Sequence, residues 1–286
     1  MILSASVCAL VYSIASAHRG LHRWAGWRIG ILVALTLLAA GCAKVSPPQV
    51  KEIPRQEQSR AQMLEILERS YAHASMQALA EVRLRRGEDK QSSTQALHVQ
   101  SPYQLRAEVY NFMGQMLVML TADGAALEAY VPSRKTLYRG MATRARMERF
   151  AYVPLMPADM VALLLQRLPP GVLQRAQVEK ETHNSLHFVI SAQQEYIVHF
   201  GSAQVERIVY RELGREVFSI AYAAATPTPT GSAAEMFPRR MELRMPLQDL
   251  ELDIELEDVQ LNPAIEPDLF EIEVRDGVEI VSLEEL

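Results

Sequence analysis

Two periods of apolar residues divide this chain. Val82 and Leu84 alternate with Glu81, Arg83 and Arg85; Leu97 and Val99 follow, and then Tyr103, Leu105, Ala107 and Val109 alternate with Gln104, Arg106 and Glu108. A period of two sends successive side chains to opposite faces and predicts half-buried strands. Residues 116–120 are apolar at every position, as in a strand covered on both sides, and shorter strands are predicted at 127–131 and 136–138. Strands resume at 172–180, 186–191, 196–200, 205–211, 217–222, 236–245 and 250–261. The last is the clearest: Leu250, Leu252, Ile254 and Leu256 alternate with four acids, and the phase slips after Asp258, which predicts a bulge.

Helical spacing is clearest in two places, and residues 141–172 as a whole read as one or two helices, the better over 157–168. Met63, Leu64, Leu67 and Tyr71 form one face after Ser59, and Met160, Leu163, Leu164 and Leu168 form another over 157–168. Pro157 suits a first helical turn, and Pro169-Pro170-Gly171 is a firm stop. Asn111-Phe112-Met113-Gly114 and Asp123-Gly124 separate strands as turns, and 225–235, "ATPTPTGSAAE", is a long connection. Short, regularly spaced strands with turn residues between them predict a mainly β (α+β) fold. Its core is a strongly curved antiparallel sheet or incomplete barrel, with an N-terminal helix and a helical lid.

Residues 1–58 follow neither period. Arg19, Arg23 and Arg28 precede an uncharged run from Ile29 to Ala40, and no Asp or Glu occurs before Glu52. That run is shorter than the roughly 20 residues that span a bilayer and matches a secretory signal. Ala39-Ala40-Gly41 before Cys42 has the form of a bacterial lipobox, so residues 1–41 are expected to be a lipoprotein signal and Cys42 the acylated first residue. Met1 to Ala17 forms a second apolar stretch ahead of it. Residues 43–58 are polar and carry three prolines, as expected of a tether, and residues 59–286 make up the folded domain.

Charge then narrows the function. Without the three arginines of residues 1–41 the chain has 26 basic against 34 acidic residues, a net charge of −8. Nothing in that balance suits nucleic acid, and an acidic body is not drawn to an anionic membrane by charge. Cys8 and Cys42 are the only cysteines, so the folded domain has no disulfide.

No phosphate-binding glycine loop, G-x-S-x-G or H-E-x-x-H occurs. His183, His187 and His199 lie on or beside predicted strands and are expected to be ordinary sheet histidines, not zinc ligands. Neither cofactor nor catalytic residue is expected. The chain does carry 13 methionines. Met is adaptable and serves both as core filler and on surfaces for varied apolar ligands.

Four stretches, in order, resemble the LolA/LolB superfamily: "SPYQLRAEV" from Ser101, "TADGAALEAYVPSRKTLYRG" through Asp123, Gly124, Leu127, Tyr130 and Pro132, "MPADMVALLLQRLPP", and "PDLFEIEVRDGVEIVSL" through Phe270, Gly277 and Val278. The resemblance implies an open antiparallel barrel with helices over an apolar cavity. On that reading Leu105, Val109, Met116, Val118, Leu120, Leu127, Met160 and Leu164 line the cavity. Phe112 and Met113 form a turn tip that inserts into a membrane, as the matching hairpin does in LolB-like receptors. Ser101 stands where LolA-like carriers have a lid-latching arginine, and Cys42 is unlike a soluble carrier; both favour the anchored role. The C-terminal ending is LolA-like instead.

The function expected is that of a monomeric, non-enzymatic lipoprotein anchored through Cys42 in the outer membrane and facing the periplasm. It would bind acyl chains or lipoprotein cargo, with a LolA-like carrier as a possible partner, and assist their insertion. A carrier of another envelope lipid and a protein-binding scaffold or sensor are the alternatives. A cavity of several hundred Å³ favours a lipid ligand and a filled interior favours the scaffold.

Overall fold

The computed structural model describes residues 58–180, 183–228, 236–274 and 276–285. The expected signal, Cys42 and nearly all of the expected tether lie outside the described residues. Everything below concerns the compact unit that runs from Gln56 to Leu286.

Helix α1, Arg60–Ser70, starts at Ser59, whose hydroxyl accepts from the Gln62 N–H while the Gln62 side chain accepts from the Ser59 N–H. This reciprocal capping satisfies two donors that the first helical turn leaves free. Met63, Ile66 and Leu67 are its buried face, with Leu64 and Tyr71 half-buried beside them.

A large sheet follows. Its first strands are β1 (Ser75–Arg86), β2 (Asp89–Gln100), β3 (Gln104–Tyr110), β4 (Met116–Ala122), β5 (Ala126–Val131) and β6 (Thr136–Met141). Helices α2 (Arg144–Ala151), α3 (Pro157–Leu164) and the single turn α4 (Val172–Arg175) interrupt the strands. The chain then returns through β7 (Gln177–Lys180), β8 (Ser185–Ser191), β9 (Gln194–Phe200), β10 (Val205–Glu212) and β11 (Arg215–Tyr222). A small pair, β12 (Ala225–Pro227) and β13 (Met236–Pro238), stands apart; β14 (Arg240–Met245), β15 (Leu250–Leu261) and β16 (Glu279–Ser282) complete the set.

Among the described residues fourteen strands join in the order β16-β6-β5-β4-β3-β2-β1-β15-β14-β11-β10-β9-β8-β7. Pairing of β1 with β15 brings the end of the chain to its beginning and joins two meanders into one open sheet. Every pairing is antiparallel except β16 with β6. The fold is thus the mainly β, curved, unclosed sheet with helical cover that the sequence predicts. Its apolar face and the helices enclose one cluster that includes Met63, Met76, Leu105, Met147, Leu165, Phe188, Phe200 and Met241.

The bulge expected near Asp258 is present. Gln77 pairs with Gln260 but Leu79 with Glu257, so β15 fits one extra residue there, and Asp258 takes a positive φ of 48°.

Three boundaries differ from expectation. Residues 172–175 form a helical turn, not the head of a strand, because they pack under β8 after the Pro-Pro-Gly stop. The strand expected over 236–245 breaks at Arg239 into β13 and β14. Helix α3 ends at Leu164, not Leu168, for Gln166 adopts φ 58° and the Gln166 and Arg167 N–H groups turn back to the Leu163 and Ala162 carbonyls. Such a closure usually signals itself by a glycine. Here Gln166 holds it by donating its side-chain amide to the Val205 carbonyl.

The C-terminal segment crosses the outer face. Arg106 donates to the Leu269 carbonyl at 2.8 Å, and the Ile272 N–H reaches Glu128. The segment then adds β16 to the edge at β6.

Candidate functional site

Beneath α3 lies a cavity of about 390 Å³. Leu97, Leu105, Leu120, Leu163 and Leu164 line its depth, all of them buried, and β1 adds Val82 and Leu84. Leu243, Leu252 and Ile254 make the wall beyond β1, and Phe150, Val153, Leu155 and Met160 come from the helical cover. Not one lining residue is ionisable apart from the phenol of Tyr152. The exposed members of the lining are Gln91, Ser92, Leu117 and Tyr152, which together mark the mouth.

Of the eight residues expected at the cavity, Leu105, Val109, Val118, Leu120, Met160 and Leu164 are in its lining. Met116 and Leu127 are not. Val109 pairs with Val118 while Tyr110 pairs with Met116, so Leu117 is an extra residue and the alternation breaks there. The bulge turns Leu117 to the mouth in place of Met116. Leu127 does sit on the buried face, but on β5 beyond the cavity wall, where it is part of the packed core.

Sequence reasoning passed over the polar part of the lining. Gln91, Ser93 and Gln95 lie on β2 with the parity of Leu97 and Val99, both buried, and all three line the cavity. Gln95 donates to Ser93 Oγ at 3.2 Å. The i, i+2, i+4 spacing is visible in "QSSTQALHV", but polar residues in that phase carry no apolar period to mark a buried face.

Hydrogen bonds at three places hold the cover down. At the mouth, Arg86 donates to the Tyr152 carbonyl at 2.9 Å and pairs with Glu148 at 3.3 Å. In the middle, the Tyr222 hydroxyl donates to the Leu163 carbonyl at 2.7 Å; burial raises its pKa well above the ordinary phenol value, so it stays a donor. At the rear, Arg167 donates to Ser101 Oγ at 2.7 Å and to the Tyr71 carbonyl, with its guanidinium 5.0 Å from the Tyr71 ring. The Ser101 position is therefore joined to the cover through an arginine carried by the cover.

Expected tip residues Phe112 and Met113 project from the β3–β4 turn, 95% and 63% exposed. Asn111 braces that turn: its Oδ1 accepts from the Met113 and Gln115 N–H groups, and its own N–H donates to the Gln115 carbonyl. The tip is thus built to hold two large apolar side chains in water. Register places it at the mouth end of the sheet, since Tyr110 pairs with Thr94, just past Ser93. The β10–β11 and β14–β15 turns share this end and carry Leu213, 71% exposed, and Leu247, 59% exposed. These two were also missed, because single apolar residues in turns carry no periodic signal.

The histidines sit on the sheet. His187 lies 2.6 Å from Glu195 on the neighbouring strand. Among the described residues no group of three His, Cys, Asp or Glu is placed to hold a metal ion.

No family model matches the chain, and no curated protein matches it in sequence. Solved structures do align with it. A DUF1329 family protein from Desulfovibrio piger is 9% identical with a TM-score of 0.48, covering 73% of this chain and 94% of that one. A domain assigned to outer membrane lipoprotein sorting from Vibrio parahaemolyticus is 10% identical at 0.48, with 73% and 95% covered. A LolA superfamily protein from Nitrosomonas europaea is 11% identical at 0.46, with 73% and 97% covered.

Proposed function

We propose that this protein takes up the acyl chain of an envelope lipid or lipoprotein and passes it to a membrane on which its turn-bearing end rests. The observation that carries this reading is the cavity of about 390 Å³ with a predominantly apolar lining, opening at the end of the sheet that bears Phe112 and Met113. Small-molecule sites commonly fall at ~300–1,000 Å³, whereas a scaffold domain has no use for such a void. Acylation at Cys42 and residence in the outer membrane, facing the periplasm, complete the proposal. A soluble carrier of the same architecture would be the donor.

In this scheme the cover moves to admit the chain. Phe112 and Met113, helped by Leu213 and Leu247, enter the lipid and set the mouth against it. Full burial of a large apolar side chain is worth ~1.5–3 kcal/mol, enough for a few such residues to orient a tethered protein.

The test is to purify the Cys42→Ala chain gently from its host and identify bound molecules by mass spectrometry. A co-purifying acyl lipid or acylated peptide, lost in Val118→Trp, supports the proposal. An empty protein that also fails to take up a fluorescent fatty acid overturns it, and the exposed tip would then be a protein-docking site.

A further inference from the structure

The wall of the cavity is not uniform. On β1 and β3 the inward positions are Val82, Leu84, Leu105 and Val109, all apolar. On β2, between them, Gln91, Ser93 and Gln95 line the outer half and Leu97 the depth. Directly opposed residues share a face of the sheet, and Gln91 pairs with Leu84, Ser93 with Val82, and Gln95 with both Ala80 and Val109. A single polar stripe therefore runs from the mouth inward between apolar walls. Four residues of antiparallel strand give it a length of ~14 Å.

Two further features define what could lie along it. First, apart from Tyr152 at the mouth, no ionisable side chain among the described residues lines the cavity, so an ionised carboxylate or phosphate drawn inside would lose its water without a counter-charge. Amides and a hydroxyl can instead donate to and accept from a neutral carbonyl or alcohol. Gln95 uses one N–H on Ser93, and the Gln91 amide has no partner among the described residues. Second, the cavity of about 390 Å³ has room for an acyl chain.

From these features we infer that the cavity selects an acyl chain joined to its carrier through an uncharged ester or amide, with Gln91, Ser93 and Gln95 reading that linkage. The inference rests on the acyl-binding reading above and sharpens it. An ester of glycerol and the amide of an acylated amino terminus share this chemistry. The deep end, at Leu97, Leu105 and Leu164, receives the methyl end of the chain.

The experiment uses the full-length chain with Cys42→Ala, purified without detergent and loaded with the apolar fluorophore N-phenylnaphthylamine. Competitors are monomyristoylglycerol, N-myristoylglycinamide and, at pH 8, myristate. The two neutral amphiphiles should displace the probe at concentrations at least tenfold below those needed for myristate. Whichever of them is tighter identifies the ester or the amide source. In Gln91→Leu/Ser93→Ala/Gln95→Leu the probe should still bind while the tenfold preference disappears. Gln95→Leu alone should reduce it at least threefold, and serves if the triple variant does not fold. Equal displacement by myristate, or a preference that survives Gln95→Leu, overturns the inference and leaves acyl binding standing. Failure of the native chain to bind the probe or any competitor overturns both.

Discussion

Arg167 and Ser101 meet at the rear of the cavity, with the guanidinium donating to Ser101 Oγ over 2.7 Å. Arg167 owes its position to the turn at Gln166, which ends α3 early and swings the next residue towards the β2–β3 connection. One hydrogen bond thus ties the end of the cover to the sheet. A bond to a charged group contributes ~1.5–3 kcal/mol, so Ser101→Ala should lower stability to urea by about that amount. Hydrogen exchange should quicken first at 163–168. A loss below ~0.5 kcal/mol would mean that Arg167 is held by Tyr71 alone.

Tyr222 offers a milder lever on the same element. Replacing its buried hydroxyl in Tyr222→Phe should cost ~0.5–1.5 kcal/mol in a denaturant titration, since the ring still packs. The rate of acyl-probe uptake should rise with the loosened cover. An unchanged rate would place the moving part elsewhere.

Phe112 is so exposed that its removal costs the fold nothing. Phe112→Ser should leave the melting temperature unchanged and weaken association with phospholipid vesicles roughly tenfold or more, given ~1.5–3 kcal/mol for a buried large side chain. Vesicle flotation of the Cys42→Ala chain checks this, because the anchor would mask the difference. Equal flotation would exclude the tip from membrane contact.

Leu213 has a backbone φ of 52° in a two-residue hairpin turn with Gly214, a position that favours Asn. Left-handed backbone costs a branched residue ~1–2 kcal/mol, and 71% exposure returns little of it through packing. Leu213→Asn should therefore stabilise the protein by ~1 kcal/mol while reducing vesicle binding. A variant that is both more stable and equally bound to vesicles would remove Leu213 from the contact surface.

Acid should loosen the C-terminal crossing in two stages. Burial, and then the charge on Arg106, hold the His98 pKa below the ordinary histidine value. The unfolded chain therefore binds the proton more readily, and stability falls as pH drops through the unfolded histidine value of ~6.5, levelling off below the folded one. Burial opposes ionisation of Glu108, but hydrogen bonds from Tyr110 and Arg106 outweigh it and set its pKa below the ordinary value. Its contribution is complete above the unfolded value of ~4.3 and lost as pH falls through the folded one. His98→Gln should flatten the first stage and Glu108→Gln the second, in urea titrations between pH 7 and 3. Two unchanged profiles would assign the acid sensitivity to other groups.

The sequence by itself determined the repeating parts. Alternation of apolar and charged residues located most strands, because a sheet with one wet face imposes that period. Pro157 marked the start of α3, and a broken phase announced the bulge at Asp258. Phe112 and Met113 were legible as anomalies, being apolar residues where a turn wants polar ones.

Tertiary structure decided what depends on pairing. The bulge at Leu117 exchanged it for Met116 at the mouth, an outcome set by the register of β4 against β3 and invisible in β4 alone. Gln166 took a glycine-like backbone because the Val205 carbonyl, on a distant strand, was there to hold its side chain. Gln91, Ser93 and Gln95 became a wall of the cavity only once β1 and β3 flanked them with apolar neighbours. Period and propensity are properties of a segment, whereas a cavity is the space that several segments leave between them.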